Sequence, residues 1–414
     1  MRRSGVVAAG MVALLALAAG CAGPRIDVDV EPGQYADVLT DLPADAGLAD
    51  ASVWIGAEMV AAALEVDPDA NVVISPLSLQ LALAVLREGA TGDAVAQLDA
   101  VLGGGDVDEA VATLRERLAR FEGDVSQIDR ADPPERTLVH IADGVFVQTG
   151  FPVEPAFLRR AVQSHRAEIA EADFQNGLAK PVLDAWANRE TGGLIPEVPA
   201  DPPEDTLVTL LNAVVFGARW QSEFDPAATV DGPFTRADRT VVQTPMMQTT
   251  LTIPYAVGDG WRSIELPYSS GFAMRIVLHD GAAFGQDRWQ DVATALGSAP
   301  ETWLGLTMPS WETSANLDLH DVLIGLGIDG IFGGVGLDGV FPGAYVGTAA
   351  QAAAITVAEG GTVAAAVTQI GIMVVSAPAV PDIRLDLDSP FEYQVIEVGT
   401  GLVLFAGRVA DPSA

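Results

Sequence analysis

Cysteine is almost absent: Cys21 is the only one in 414 residues, so no disulfide can form within the chain. Basic residues are scarce too. Against 56 Asp and Glu stand 22 Lys and Arg, for a formal net charge of −34. Nucleic acid needs clustered cations for its phosphates and is excluded as a partner; a heparin-like polyanion is disfavoured on the same ground. The acidity fits a soluble protein of a salty exterior, or a compositional habit of the source. There are four histidines, His140, His165, His279 and His320, and none stands in a His-Glu-x-x-His zinc pattern. There is no Gly-x-Ser-x-Gly nucleophile elbow. Gly325–Gly330 and Gly334–Gly339 fit Gly-x-Gly-x-x-Gly, but they lie in a Gly-rich turn region before Phe341-Pro342, not between a strand and a long helix. The expectation is therefore no metal, no cofactor and no enzyme active site.

Apolar residues make up 49% of the chain, ample for a large core, and 42 Gly and 26 Pro punctuate it. Beyond residue 48 there is no linker, repeat or low-complexity tract, so one domain over 48–412 is expected. Residues 1–21 read as a targeting segment: Arg2-Arg3, then an apolar run from Val6 to Ala19 that is short for a membrane span. Leu17-Ala-Ala-Gly-Cys21 resembles a bacterial lipobox, with Ala18 where a Leu-like residue is usual, and marks Cys21 as a lipid anchor. An ordinary cleaved signal with an incidental Cys is the alternative. Residues 22–47, acidic with Pro and Gly, read as a flexible tether. Location is expected on the outer face of the membrane, or free outside it, with the lipid on Cys21 the only membrane contact.

Periodicity predicts helices over 53–64, 79–88, 95–102, 109–121, 155–165, 180–190 and 321–325. It predicts strands over 72–74, 140–148, 207–216, 241–247, 249–255, 263–267, 273–278, 304–308, 383–387, 393–398 and 402–409. Helices first and strands after mark an α+β layering. Ser75 or Ser78 is placed to cap the helix that follows it.

The most informative run is Glu359-Gly-Gly-Thr-Val-Ala-Ala-Ala-Val-Thr368. Gly360-Gly361 reads as a hinge. From Thr362 to Thr368 nothing exceeds Val in size, and Thr362, Ala364, Ala366 and Thr368 alternate as on a strand with one tightly buried face. An Ala-rich linker is the bland reading, since Ala is a poor strand former. The run closely resembles the hinge of the serpins, protease inhibitors that insert a loop into a sheet. Other blocks follow that family's order. They include Asn71-Val-Val-Ile-Ser-Pro-Leu-Ser78, Leu210–Trp220, Ile264-Glu-Leu-Pro-Tyr268, Met308-Pro-Ser-Trp311, Gly325–Phe332 and Leu404–Val409.

The resemblance implies a helix-rich lobe packed on three β-sheets with an exposed C-terminal reactive loop, acting as a monomer on serine proteases. It implies hinge residues Glu359, Gly360, Gly361, Thr362, Ala364, Ala365 and Ala366, and a scissile bond between Val375 and Ser376. Met373, Val374, Ala377 and Ala379 are alternatives for that bond. It further implies a polar cluster under the central sheet from Ser75, Ser78 and Asn212. Gln351 stands there where the family usually has His, and Trp220 lies at the top of the sheet. The loop from Gly371 to Pro381 has no Lys, Arg, Phe or Tyr, which favours an elastase-like or subtilisin-like target. A non-inhibitory serpin used for binding or scaffolding is the alternative; large, charged or proline residues in 362–368 would have favoured it, and none is present.

Overall fold

The computed structural model describes residues 46–129, 132–279, 284–363 and 381–413. Its helices are α1 (Ala46–Val66), α2 (Pro76–Arg87), α3 (Asp93–Val101), α4 (Val107–Ala119), α5 (Pro155–His165), α6 (Lys180–Glu190), α7 (Gln286–Ser298) and α8 (His320–Gly325). Its first strands are β1 (Val72–Ile74), β2 (Leu138–Gln148), β3 (Glu168–Ala172), β4 (Val208–Arg219) and β5 (Val230–Thr235). Then come β6 (Val241–Gly258), β7 (Trp261–Pro267), β8 (Phe272–His279), β9 (Glu301–Pro309) and β10 (Trp311–Asp318). The last are β11 (Ala350–Ala358), β12 (Gly361–Thr362), β13 (Ile383–Asp386), β14 (Phe391–Glu397) and β15 (Val403–Val409).

The strands form three sheets. The central one runs β10-β11-β12-β4-β2-β3, and only β2 and β3 are parallel neighbours. The second runs β1-β15-β14-β8-β7 and ends on the last residues of β6. The third uses the earlier part of β6, flanked by β5 and β9, with β13 parallel to β9. One 18-residue strand thus serves two sheets. The expected break at residue 248 does not occur, because Gln248 stays in register opposite Thr307.

The core lies between the central and second sheets. Trp311 of β10 meets Phe391 and Tyr393 of β14, each ring pair 5.5 Å apart, and Phe216 of β4 meets Phe272 of β8 at 5.3 Å. Helices α1 and α2 close this core, with Ile55, Met59 and Leu77 fully buried. α2 starts sharply because Ser75 accepts a hydrogen bond from Ser78 N at 3.1 Å and Pro76 needs no backbone partner. α5 and α6 likewise carry a proline in their first turn. α1 takes in the last residues assigned to the tether. The segments 1–21 and 22–45, and with them Cys21, lie outside the described residues.

Five elements went unread in the sequence: α7, β3, β5, β10 and β11. Strand β11 is the consequential one. Its nine residues are mostly Ala, yet alternate positions are buried, as on a strand with one face on the core.

Candidate functional site: a gap in the central sheet

The middle of the central sheet is unusual. β12 is two residues long and sits between β11 and β4, pairing Thr362 with Val357 on one side and Ala218 on the other. Among the described residues, no pairing joins β4 to β11 directly. Two strands of nine and twelve residues are therefore bridged at one end only.

The bridged end is built around Trp220 and Tyr268. Their rings stack at 4.4 Å with 9° between planes. The Trp220 indole N–H donates to Ala358 O at 2.9 Å, and Trp220 N donates to Gly360 O at 3.1 Å. The Tyr268 hydroxyl lies 2.5 Å from Thr362 Oγ1, both side chains buried. Burial pushes the Tyr268 phenol well above its usual range, so it stays neutral. Glu359 is fixed twice: its carbonyl accepts from Phe224 N at 3.0 Å and its carboxylate from Thr229 Oγ1 at 2.8 Å. Gly361 has φ 153°, and a Cβ there would stand 2.2 Å from Ala218 O, so only glycine fits. Val363, a β-branched residue at φ 123°, is buried and donates its N–H to Thr356 O at 2.9 Å. That strained conformation falls just after the hinge.

Below the bridge lies a cavity of about 110 Å³. Ser75, Leu79 and Phe405 line it from the core side, and Trp186, Leu194 and Val198 from the other face of the sheet. The opening therefore passes right through the sheet. A scan of family models matches residues 52–412 to one described as Serpin (serine protease inhibitor).

The chain belongs to the serpin family. It is 30% identical over 405 residues to Serpin-Z2B of Triticum aestivum, covering 91% of this chain and 99% of that one. It is 33% identical to putative serpin-Z5 of Oryza sativa, covering 84% and 86%. Serpin48 of the insect Tenebrio molitor has a similar structure, with TM-score 0.73 and 25% identity over 88% of this chain and 98% of its own. The thermophilic serpin tengpin superposes with TM-score 0.76 at 21% identity, covering 89% and 94%. The two sequence relatives named are plant serpins of the Z type, and the family is one of serine protease inhibitors, not enzymes.

The polar cluster of this serpin divides into two parts. Gln351 lies against Ser75: Ser75 N donates to Gln351 Oε1 at 2.8 Å, and Gln351 Nε2 donates to Ser75 O at 2.9 Å. Ser75 Oγ donates to Leu404 O at 2.7 Å. The Gln351 amide thus pairs with the main chain as a neighbouring strand would. Asn212 lines the same cavity but is turned away from the serines. Its amide donates to Asp143 Oδ1 at 2.8 Å and Ala142 O at 3.3 Å, and Asp143 is ion-paired to Arg115. The four residues line one cavity, with Gln351 bonded to Ser75 and Asn212 to Asp143. Asn212 belongs to β4, whereas Ser75 caps helix α2 below.

Tyr268 and Asp143 were missed in the sequence. Tyr268 sits within the Ile264–Tyr268 block, but no local pattern tells that it meets a residue 94 positions away. Ala364, Ala365, Ala366, Val375 and Ser376 lie outside the described residues.

Proposed function

We propose that this serpin is a suicide inhibitor of elastase-like or subtilisin-like proteases, acting by cleavage of its loop and insertion of the hinge strand between β4 and β11. The observation that carries this reading is the gap with β12 started at its upper end. Continuing the register of Thr362 sets residue 372 opposite Val208 and residue 369 opposite Ala350. The strand that would enter is Val363-Ala-Ala-Ala-Val-Thr-Gln, without charge or proline. Among the described residues both edges of the gap below β12 are unpaired, so successive added residues would bond to β4 and β11 in alternation.

A protease serine that attacks the loop forms an acyl-enzyme, and hydrolysis then needs an undistorted active site. Insertion of about 15 residues carries the attached protease on the order of 50 Å, and the distortion stalls hydrolysis. Hinge spacing supports a scissile bond between Val375 and Ser376. A small pocket accepts Val375, whereas a trypsin-like pocket wants a cation and a chymotrypsin-like one a ring. A lipid on Cys21 would tether a monomeric inhibitor outside the membrane by the segment that precedes α1.

Incubation with elastase, subtilisin, trypsin and chymotrypsin tests this. The expected result is a complex with one of the first two that survives SDS, and a released C-terminal peptide that begins at Ser376 by mass spectrometry. Turnover by every protease with no complex would favour the non-inhibitory reading. Strong trypsin inhibition with cleavage after a basic residue such as Arg384 would overturn both bond and class.

A further inference from the structure

The gap has a cover. After α6 the chain runs back as a strap, residues 191–200, before it enters β4. Leu194, Ile195 and Val198 of this strap line the cavity on the side opposite the core. The strap also overhangs a groove of about 630 Å³ against Ser314, Ala315, Ala352 and Ala354, on the far side of the gap. The strap therefore covers the gap on that face.

What keeps the strap down is local. Asp184, on the second turn of α6, accepts from Val198 N at 2.9 Å through Oδ1 and from Lys180 Nζ at 2.8 Å through Oδ2. Val198 is buried and Asp184 is 21% exposed. Lys180, the only lysine in the chain, also reaches Glu197 at 3.1 Å, but Glu197 is 71% exposed. That outer pair is solvent-screened and weak, whereas the bond from a buried N–H to a carboxylate is not. The other end of α6 is fastened to strands on the β4 side of the gap. Arg189 pairs with Glu168 of β3, and Glu190 with His140 of β2. Helix α6 therefore travels with β2, β3 and β4 when the gap widens, and only the strap must lift.

We infer that Asp184 is the clasp of this strap and sets the rate at which a strand enters the gap, with Lys180 orienting its carboxylate. Asp184 takes no part in protease recognition; it acts through Val198. The inference rests on the insertion reading above.

The test is uptake of a synthetic peptide of residues 362–374 by the intact full chain, followed by native gel shift and the rise in thermal midpoint. Asp184→Ala is expected to take up the peptide about tenfold faster than wild type, the rate equivalent of one lost hydrogen bond to a charged acceptor. Val198→Pro, which deletes the donor instead, should accelerate uptake similarly and covers the case in which Asp184→Ala folds poorly. Asp184→Asn keeps an acceptor for Val198 and should return to within about threefold of wild type, and Glu197→Gln should change little. A general loss of stability would not give that order. Uptake by Asp184→Ala and Val198→Pro at the wild-type rate overturns the clasp alone. No uptake by wild type, and no rise in its midpoint after loop cleavage, overturns the insertion reading itself and the clasp with it.

Discussion

Replacing Thr362 with Arg separates the driving force of insertion from its rate. Thr362 is 3% exposed, packed under the Trp220–Tyr268 stack and hydrogen-bonded to Tyr268. An arginine there buries a cation with no carboxylate in place, at a cost of about 3–5 kcal/mol. The gain opposing it is larger. Beyond Thr362, a strand filling the gap pairs with about ten more residues of β4 and seven of β11, and at roughly 1 kcal/mol net per ladder bond this is on the order of 15 kcal/mol. The cleaved loop of the variant should therefore still enter the sheet, and its thermal midpoint should rise well above that of the uncleaved protein. Thr362 is already seated in β12, so the arginine expels it from the sheet and insertion must restart against that penalty, which slows it by about 10²- to 10⁴-fold. Deacylation then wins. The variant is expected to be cleaved and released as a substrate, with little SDS-stable complex, while its cleaved form is hyperstable. Complex formation at the wild-type level would refute the assignment of Thr362 to the entry step. A midpoint that does not rise after cleavage, in wild type as in variant, would refute insertion.

Two further outcomes follow from the same geometry. Gln351→Ala leaves Ser75 N and O buried without their partner and should lower stability by about 1–3 kcal/mol in denaturant unfolding, whereas Gln351→Glu should cost more, since a carboxylate cannot donate to Ser75 O. His140, held between Glu122 and Glu190, is raised from 6.5 to about 9, first by the hydrogen bond it donates to Glu122, then by the one it donates to Glu190. A raised histidine stabilises the fold fully below pH 6.5 and loses that contribution as pH rises through about 9, here up to about 3 kcal/mol. The thermal midpoint should fall between pH 7 and 10, and His140→Gln should flatten that slope.

How far the fold could be read from the sequence depended on what kind of signal each element carries. α5 and α6 are placed as the sequence predicts because helical spacing and an early proline agree. β11 was not legible, because Ala350–Ala358 owes its strand state to β10 beside it and the core beneath, not to its own propensity. β3, Glu-Ile-Ala-Glu-Ala, is made of good helix formers and is extended only by pairing with β2. α7 did carry a signal, Trp289, Val292 and Leu296 on one buried face, set among strand patterns. In the site, the Gly360-Gly361 hinge could be seen locally. The turning of Asn212 toward Asp143 could not, since it depends on the β2–β4 register.

The placement of β1 bears on how the chain is made. Among the described residues its three residues pair only with β15, and Asn71 just before it holds Ala410 and Asp411 through its side chain. The second sheet therefore cannot close until β15 has left the ribosome. During synthesis the central sheet, with its gap, has its strands available while β14 and β15 are still missing. Those two strands follow the loop directly in sequence, and their docking draws Pro381 and β13 onto β9, away from the gap. If the hinge strand inserts as proposed, a newborn chain faces a race between two segments for one stretch of polypeptide, decided by how quickly β14 finds β8 and β15 finds β1.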